Sequence, residues 1–167
     1  MIVHSIKYAQ AQEDISEVVV STDCPEIKNI ALAYGAQVID RPDYLATDTT
    51  PTVDVLKHAL TVLNDSIEWV VLLQPTNPLR PKDLFKNAQE VIKNTGAKSL
   101  FTVSQNHNKI GHIDQGTFKP LNYTAGMRSQ DMTPTYYENG LLYMTHVDLI
   151  RQGVIFDQAS VPLIVEH

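Results

Sequence analysis

Cysteine is nearly missing from this sequence of 167 residues: Cys24 stands alone and cannot form an internal disulfide. A chain without disulfides is typical of a reducing compartment, so we predict a cytoplasmic location. There is also no run of 18 apolar residues that could cross a membrane. The opening residues, MIVHSIKYAQ, lack the basic start and apolar core of a secretory signal, and no membrane association is expected.

Basic residues are also few, because 13 Lys and Arg stand against 19 Asp and Glu, giving a formal net charge of −6. This balance argues against nucleic-acid binding, which requires a basic face toward the phosphate backbone. It still permits a small anion held by two or three arginines. The length, with 43% hydrophobic and 19% charged residues, is ordinary for a single globular domain spanning residues 1–167.

Glycines number only seven and are scattered, so neither common Gly-rich phosphate loop is present. The histidines do not fall at metal-ligand spacing, and we predict no metal ligands from the residues themselves. No Ser-His-Asp or Cys-His arrangement identifies a nucleophile, so the catalytic residues stay unassigned.

Helical and strand periodicities alternate along the first 104 residues. Helices are predicted over the first dozen residues and over CPEIKNIALAYG, TVDVLKHALTVLN and PKDLFKNAQEVIKNTG, and strands over VVVST, AQVID, IEWVVLL and KSLFTVS. This alternation predicts an α/β fold with an open, mostly parallel sheet and helices on both faces. IEWVVLL is apolar on both faces and is predicted to be a central strand.

Three of these helices have an apolar face that we expect to pack on the sheet. In CPEIKNIALAYG the face consists of Ile27, Ile30, Ala31 and Tyr34. In TVDVLKHALTVLN it consists of Val53, Leu56, Leu60 and Leu63, and in PKDLFKNAQEVIKNTG of Leu84, Ala88, Val91 and Ile92. Residues 105–138 are polar and lack periodicity, which predicts an irregular segment with a functional or interface role. NGLLYMTH, VDLIRQG and VPLIVEH then predict a strand, a short helix and a last strand.

Polar residues follow three of the predicted strands, namely Ser21-Thr22-Asp23, Asp40-Arg41 and residues 74–77. Ligands of open parallel sheets bind at the carboxyl ends of the strands. Any one polar strand end is explained equally well by the wetness of loops. Three such ends, with Arg41 and Arg80 nearby, favour a binding site.

Gln74 is the best single candidate at these strand ends. Its amide offers two donors and two acceptor lone pairs, which suit a nucleobase edge or a sugar hydroxyl. Pro75 and Pro78 fix φ on either side, so the backbone of Thr76 and Asn77 is ordered before a ligand arrives.

Two further segments are candidates. The hydroxyls of YLATDTTPTVD precede a helix that starts near Thr52, where free N–H groups could bind an anion, although plain capping by Thr or Asp is the alternative. GMRSQDM contains Arg128, Gln130 and Asp131, a cluster too polar for a core.

The segments VVVSTDCPEI, YGAQVIDRPDYLATDTTPTVDVLKHAL, VVLLQPTNPLR, RSQDM and ENGLLY together resemble the cytidylyltransferases that activate nine-carbon α-keto acid sugars. This is the CMP-sialic acid synthetase family, with its legionaminic and pseudaminic acid relatives. The resemblance covers nearly the whole chain. It implies a Rossmann-like, nucleotide-diphospho-sugar transferase-like fold and a reaction of CTP with a nonulosonic acid sugar that gives CMP-sugar and pyrophosphate, with Mg²⁺ as cofactor.

The resemblance also implies roles for particular residues. Nucleotide contacts are expected from Arg41, Thr52 and Gln74. Sugar contacts are expected from Gln74, Thr76, Asn77, Arg128, Gln130, Asn139 and Tyr143. Residues 105–138 resemble the dimerisation arm of the family, which carries residues into the partner's site, so a homodimer is expected.

The sequence departs from the family pattern at both ends and at Tyr137. Family members open with a strand and a basic, Gly-rich triphosphate loop, and they continue to a pair of aspartates that bind magnesium. We therefore expect a chain truncated at both ends that lacks the phosphate loop and the magnesium ligands. Tyr137 stands where sialic acid enzymes carry a basic residue, which favours legionaminic acid as the sugar.

Two alternatives stay open. The first is a related sugar nucleotidyltransferase, of the Kdo or hexose-phosphate type. The second is a truncated, non-catalytic remnant that only dimerises or binds a nucleotide-sugar.

Overall fold

A computed structural model describes residues 1–63 and 66–166 of the chain. The helices are α1 (Ile2–Gln10), α2 (Pro25–Ala33), α3 (Thr52–Val62), α4 (Leu84–Thr95) and α5 (Val147–Arg151). The strands are β1 (Val19–Thr22), β2 (Gln37–Asp40), β3 (Trp69–Leu72), β4 (Ser99–Asn106), β5 (Gly111–Asp114), β6 (Thr117–Pro120), β7 (Thr135–His146) and β8 (Val161–Ile164). The predicted α/β class is confirmed. Asn64 and His167, which end two predicted elements, lie outside the described residues.

The sheet is divided into two parts. β1 and β2 form a parallel pair, and a four-stranded sheet has the order β3-β7-β4-β8. β4 and β8 are parallel, whereas β7 runs antiparallel to both β3 and β4. The predicted parallel arrangement therefore does not extend to β7, because no crossover helix separates it from β4. β3, predicted to be central, lies at an edge of its sheet.

The main core lies where α4 packs on the four-stranded sheet. Leu84, Ala88 and Ile92 of α4 are buried, and they pack with the fully buried Leu100 and Leu141 of β4 and β7. The predicted apolar face of α4 is thus confirmed, and this layer anchors the strands that carry the site.

The predicted faces of α2 and α3 are mostly not buried. In α2 only Ala31 is buried, whereas Ile27, Ile30 and Tyr34 are exposed, because this helix rests on a sheet of only two strands. α3 has no buried residue among those described. Its apolar side chains face the space between β1 and β3, where no strand supports them. Within residues 1–63 and 66–166 there is no helix long and apolar enough to cross a membrane.

Residues 105–138 form an arm that is less irregular than predicted. β4 continues to Asn106, β5 and β6 form a hairpin, and β7 begins at Thr135. The hairpin turn places both Gln115 (φ 48°) and Gly116 (φ 77°) in the left-handed region, as a tight two-residue turn requires. The sequence did not predict β5 and β6, because a hairpin without a buried face does not show the alternation of apolar and polar residues that marks a half-buried strand.

Candidate active site

A cavity of about 600 Å³ opens beside the ends of β1, β2 and β3. Arg41, Thr52 and Gln74, the three residues predicted to contact a nucleotide, all line it. Ser21 and Thr50 line the same region. Three segments that are distant in sequence therefore bring their polar groups to one cleft, as the strand-end rule predicts.

Arg41 is anchored to the end of β1. Its main-chain N–H donates to Thr22 O (3.0 Å), and its guanidinium donates from Nη2 to Ser21 O (2.6 Å) and from Nε to Ser21 Oγ (3.3 Å). In the described part of the chain nothing accepts a hydrogen bond from Nη1. Arg41 is thus held in position while one donor group stays available to a phosphate or carboxylate.

A group of threonine hydroxyls precedes α3. Thr47 Oγ1 lies 2.7 Å from Thr50 Oγ1 and 3.3 Å from Thr49 Oγ1. Pro51 is the N-cap of α3, and no side chain caps the helix. The alternative that these hydroxyls only cap α3 therefore does not hold. Within the described residues the amides of Thr52 and Val53 remain available to an anion, whereas the Asp54 amide donates to Pro51 O.

Gln74 lies directly against the backbone of β7 at Gly140. Gly140 has φ +67°, and a Cβ there would lie 2.4 Å from Gln74 Oε1 and 2.9 Å from Asn77 Nδ2. Asn77 Nδ2 also donates to Asn139 O at 2.7 Å. Because only glycine allows this approach, Gly140 determines where the Gln74 loop lies. The sequence motif ENGLLY contains this glycine but does not indicate its partner.

Arg80 holds the same loop in place through its guanidinium group. Its half-buried guanidinium donates to Leu141 O (2.6 Å), Gln74 O (2.7 Å) and Ser5 Oγ (3.0 Å). Burial lowers the pKa of Arg80, an effect that the nearby Tyr8 partly opposes. Arg80 does not line the cavity, and it ties the loop to β7 and α1. The sequence places Arg80 near the site but does not indicate this role, since its partners Ser5 and Leu141 are far away in the chain.

Asn139, predicted to contact the sugar, is buried and fully hydrogen-bonded. Its Oδ1 accepts from Thr102 Oγ1 (2.5 Å) and Leu141 N (3.1 Å), and its Nδ2 donates to Ser104 Oγ (3.0 Å). Only its main-chain carbonyl reaches the Gln74 loop, through Asn77. The structure connects Asn139 to the site through the backbone.

Tyr143 lies on β7 beside Glu138. It is 7% exposed, and its hydroxyl donates to Glu138 Oε2 at 3.1 Å. Burial, followed by the hydrogen bond to Glu138 and the charge of that carboxylate, raises the pKa of Tyr143 to about 12. The ring also stacks on Phe156 with centroids 6.2 Å apart, and this contact and the hydrogen bond to Glu138 hold the side chain in place.

The remaining predicted sugar contacts lie apart from the cavity. Arg128 is exposed in the arm and pairs with Asp131 (Nε to Oδ2, 2.7 Å), while Gln130 lines a separate hollow of about 220 Å³. Thr76 is exposed beyond the cavity wall. Within residues 1–63 and 66–166 no hydrogen bond or ion pair joins Arg128 or Gln130 to Gln74, and neither residue lines the cavity of Gln74.

The described residues contain no group of three His, Cys, Asp or Glu side chains that could hold a metal ion. Asp14 and Glu17 are the only carboxylates among the residues that line the cavity. These residues do not fit a Mg²⁺ site, so no step of the reaction is assigned to the ion here.

The strands and helices, with a polar cleft at the strand ends, define an α/β fold with a candidate ligand site. A family model described as Cytidylyltransferase matches residues 1–152, and the chain belongs to this family. Members of the family are nucleotidyltransferase enzymes. The resemblance indicated by the motifs at the strand ends is therefore confirmed.

Two curated relatives illustrate the relationship. CMP-N,N'-diacetyllegionaminic acid synthase of Legionella pneumophila is 33% identical over 175 residues, covering 99% of this chain and 75% of that protein. N-acylneuraminate cytidylyltransferase A of Danio rerio is 31% identical over 157 residues, covering 90% of this chain. The chain spans only 36% of the length of the Danio protein.

Solved structures support the fold. CMP:2-keto-3-deoxy-manno-octonic acid synthetase, in complex with CTP, matches with a TM-score of 0.67 and 15% identity over 97% of this chain and 77% of its own. The 4-diphosphocytidyl-2C-methyl-D-erythritol synthase of Anaerococcus prevotii also matches with a TM-score of 0.67, at 15% identity over 99% of this chain and 77% of its own. At this identity the likeness shows the shared fold alone.

Proposed function

We propose that the protein is a cytidylyltransferase that activates a nine-carbon α-keto acid sugar with CTP. A sugar hydroxyl oxygen attacks the α-phosphorus of CTP in line, and the bond from that phosphorus to the oxygen that bridges to the β-phosphate breaks. CMP-sugar and pyrophosphate leave, and the hydroxyl proton is released to solvent. The observation that carries this proposal is the convergence of Arg41, Thr52 and Gln74 on one cleft in a member of the cytidylyltransferase family.

Each of these residues has a defined part in the proposed reaction. The guanidinium of Arg41 and the free amides at the start of α3 offer fixed positive charge to phosphate oxygens. The amide of Gln74, held against Gly140, offers donors and acceptors to the cytosine edge or to a sugar hydroxyl. Catalysis of this kind relies on positioning and on charge stabilisation rather than on a protein nucleophile.

Isothermal titration of the chain with CTP tests the nucleotide site. We expect heat from CTP with the wild-type chain, and loss of that heat in Gln74→Ala with the fold intact by circular dichroism. Gln89→Ala is the matched control, because Gln89 also lines the cavity but belongs to α4 and donates to Asp14. Heat no greater than buffer dilution in the wild-type chain would contradict CTP binding and favour the non-catalytic remnant.

We propose legionaminic acid as the sugar. Support comes from the relative that is 33% identical to this chain, and from Tyr137 at a position where a basic residue favours sialic acid. The likeness to the octonic acid synthetase carries less weight because it extends to 15% identity only. Analysis of the products formed with a panel of sugar acids distinguishes legionaminic acid from the other sugars. CMP transfer to Kdo or to a hexose phosphate alone would replace this proposal.

We also propose that the chain works as a homodimer through its arm. Ile113, Phe118 and Leu121 are 76%, 51% and 64% exposed, an apolar surface of the kind that marks interfaces. A partner's arm could then bring Arg128 and Gln130 toward the cleft that they do not reach within one chain.

Sedimentation equilibrium tests the dimer. Phe118→Asp is expected to shift the chain to monomer, whereas Leu79→Asp, at an apolar residue that is 70% exposed outside the arm, is expected to leave the dimer unchanged. A wild-type chain that stays monomeric at high concentration would refute the proposed assembly.

Mg²⁺ and a cytoplasmic location complete the proposal. Mg²⁺ is the metal expected from the family resemblance, although the described residues do not themselves form a site for it. The CTP titration repeated in EDTA tests it: we expect weaker binding, and unchanged heat would contradict a role for the ion. The unpaired thiol of Cys24 supports a reducing compartment.

A further inference from the structure

The pairing of β4 with β7 contains a large bulge. Phe101 of β4 is opposite Tyr143 of β7, but the residue two positions further along β4 is opposite Glu138. Thr102 alone therefore faces the four residues 139–142 of β7, where an even antiparallel ladder would place one residue. A bulge interrupts the ladder, so the peptide groups of these four residues need other hydrogen-bond partners.

Thr102 holds the inner side of this bulge. Its side chain is fully buried, and its hydroxyl accepts from Leu142 N (3.1 Å) and donates to Asn139 Oδ1 (2.5 Å). Asn139 Nδ2 in turn donates to Ser104 Oγ (3.0 Å), which donates to Val165 O (2.8 Å). Two hydroxyls on one face of β4 thus hold both ends of the Asn139 side-chain amide.

The outer side of the bulge contacts the Gln74 loop. The side chains of Asn77 and Arg80 donate to two carbonyl groups of the bulge, at 2.7 and 2.6 Å. Gly140 lies between those carbonyls, and a Cβ there would lie 2.4 Å from Gln74 Oε1. The loop and its glutamine therefore rest on consecutive residues of the bulge.

The Gln74 side chain has little else to hold it. Within residues 1–63 and 66–166 no protein group hydrogen-bonds its amide, although it lines the cavity. Its place in the cleft follows from its contact with Gly140 and from the bonds of its loop to the bulge. The amide is therefore available to a ligand, and its location depends on the conformation of β7.

We propose that Thr102 is a positioning residue for the nucleotide site: its hydroxyl holds the bulge of β7, and the bulge determines where the Gln74 amide lies. Thr102 does not line the cavity and acts through Asn139 and Gly140. The expected effect on CTP rests on the proposed function, whereas the placement of the loop does not. The alternative role of the hydroxyl is only to satisfy buried polar groups, which stabilises the fold without affecting the cleft.

Three variants separate these two roles. Thr102→Val removes the hydroxyl and keeps the shape of the side chain, and Thr102→Ser retains a hydroxyl. Thr145→Val is the matched control, because Thr145 is a buried threonine of β7 outside the bulge whose hydroxyl donates to Ile155 O at 2.7 Å.

Isothermal titration with CTP is the first measurement. We expect affinity to fall about ten-fold in Thr102→Val, because a displaced Gln74 loses a hydrogen bond to the ligand. Thr102→Ser and Thr145→Val should stay within about two-fold of the wild-type chain, since a hydroxyl at 102 is retained in both. An equal loss of affinity in Thr102→Val and Thr145→Val would overturn the proposal, as would unchanged affinity in Thr102→Val.

A second measurement needs no nucleotide. In ¹H–¹⁵N NMR spectra, Thr102→Val should shift the side-chain amide signals of Gln74 and Asn77 and the backbone amide signal of Gly140, and Thr145→Val should leave them in place. Should Thr102→Val not fold, Ser104→Ala replaces it, because this variant releases the other end of the Asn139 amide.

The two measurements distinguish a failure of this inference from a failure of the proposed function. Unchanged signals of Gln74, Asn77 and Gly140 in a folded variant would overturn the positioning role of Thr102. A wild-type chain that gives no heat with CTP would contradict the proposed function, and the NMR signals would still decide whether Thr102 places the loop.

Discussion

Replacing Gly140 with alanine tests how the Gln74 loop is positioned. The new Cβ would lie 2.4 Å from Gln74 Oε1 and 2.9 Å from Asn77 Nδ2, distances that real Cβ atoms do not tolerate. Both side chains must move, and the hydrogen bond from Asn77 to Asn139 O is then lost. Gly140 also has φ +67°, which a residue with a Cβ adopts only at a cost in free energy.

The magnitude follows from these contributions. A left-handed backbone costs a non-glycine residue about 1–2 kcal/mol. Loss of the hydrogen bond between Asn77 and Asn139 adds about 1 kcal/mol. The Gly140→Ala variant should therefore lose about 2–3 kcal/mol of its free energy of unfolding, a substantial part of the stability of an ordinary domain.

Gly96 offers a matched control because it has the same φ of +67°, and no atom lies within 4 Å of the position that a Cβ would take there. Gly96→Ala carries the backbone cost alone and should lose only about 1–2 kcal/mol. Urea denaturation followed by the fluorescence of the single tryptophan, Trp69, measures both variants. In addition, CTP affinity should fall about ten-fold in Gly140→Ala only. Equal stability losses with unchanged CTP affinity in both variants would refute this account of the loop.

Three further predictions concern charged and titratable side chains. Arg80→Met leaves buried carbonyl groups unpaired and should cost about 3 kcal/mol in urea denaturation, whereas a loss below about 1 kcal/mol would contradict its structural role. The pKa of Tyr143 is raised to about 12 from an ordinary 10.0, so the folded state keeps a proton that the unfolded chain loses, and stability should fall as pH rises from 10 to 12. Tyr143→Phe should be less pH-sensitive in this range, and an unchanged slope would assign the effect elsewhere. Arg128→Gln removes an exposed ion pair with Asp131 and should change the unfolding free energy of the isolated chain by less than about 0.5 kcal/mol, so a larger loss would show a further contact.

Local patterns predicted most of the helices and strands because each element carries its own periodicity. The convergence of Ser21, Arg41 and Gln74 on one cleft was also predictable, since strand ends meet at one edge of a sheet. The direction of β7 and the edge position of β3 were not, because pairing partners are chosen among segments far apart in the chain.

Several contacts in the site could not be predicted from local sequence patterns, again because they join segments that are far apart in the chain. The contact of Gln74 with Gly140 and the three hydrogen bonds of Arg80 depend on how β7 passes the Gln74 loop. The side chain of Asn139 is used within the core, which a motif alone does not reveal. Arg128 and Gln130 lie on an arm whose relation to a cleft depends on a second copy of the chain.

The length of β7 has a mechanical consequence. Its 12 residues span about 40 Å, from Thr135 in the arm, past Gly140, to His146 beside β3. β7 connects the arm directly to Gly140, against which Gln74 lies, so a tilt of the arm that β7 follows would move this backbone. Contacts made by the arm and a ligand held by Gln74 would therefore influence each other's affinity, and by thermodynamic linkage the two effects must be equal.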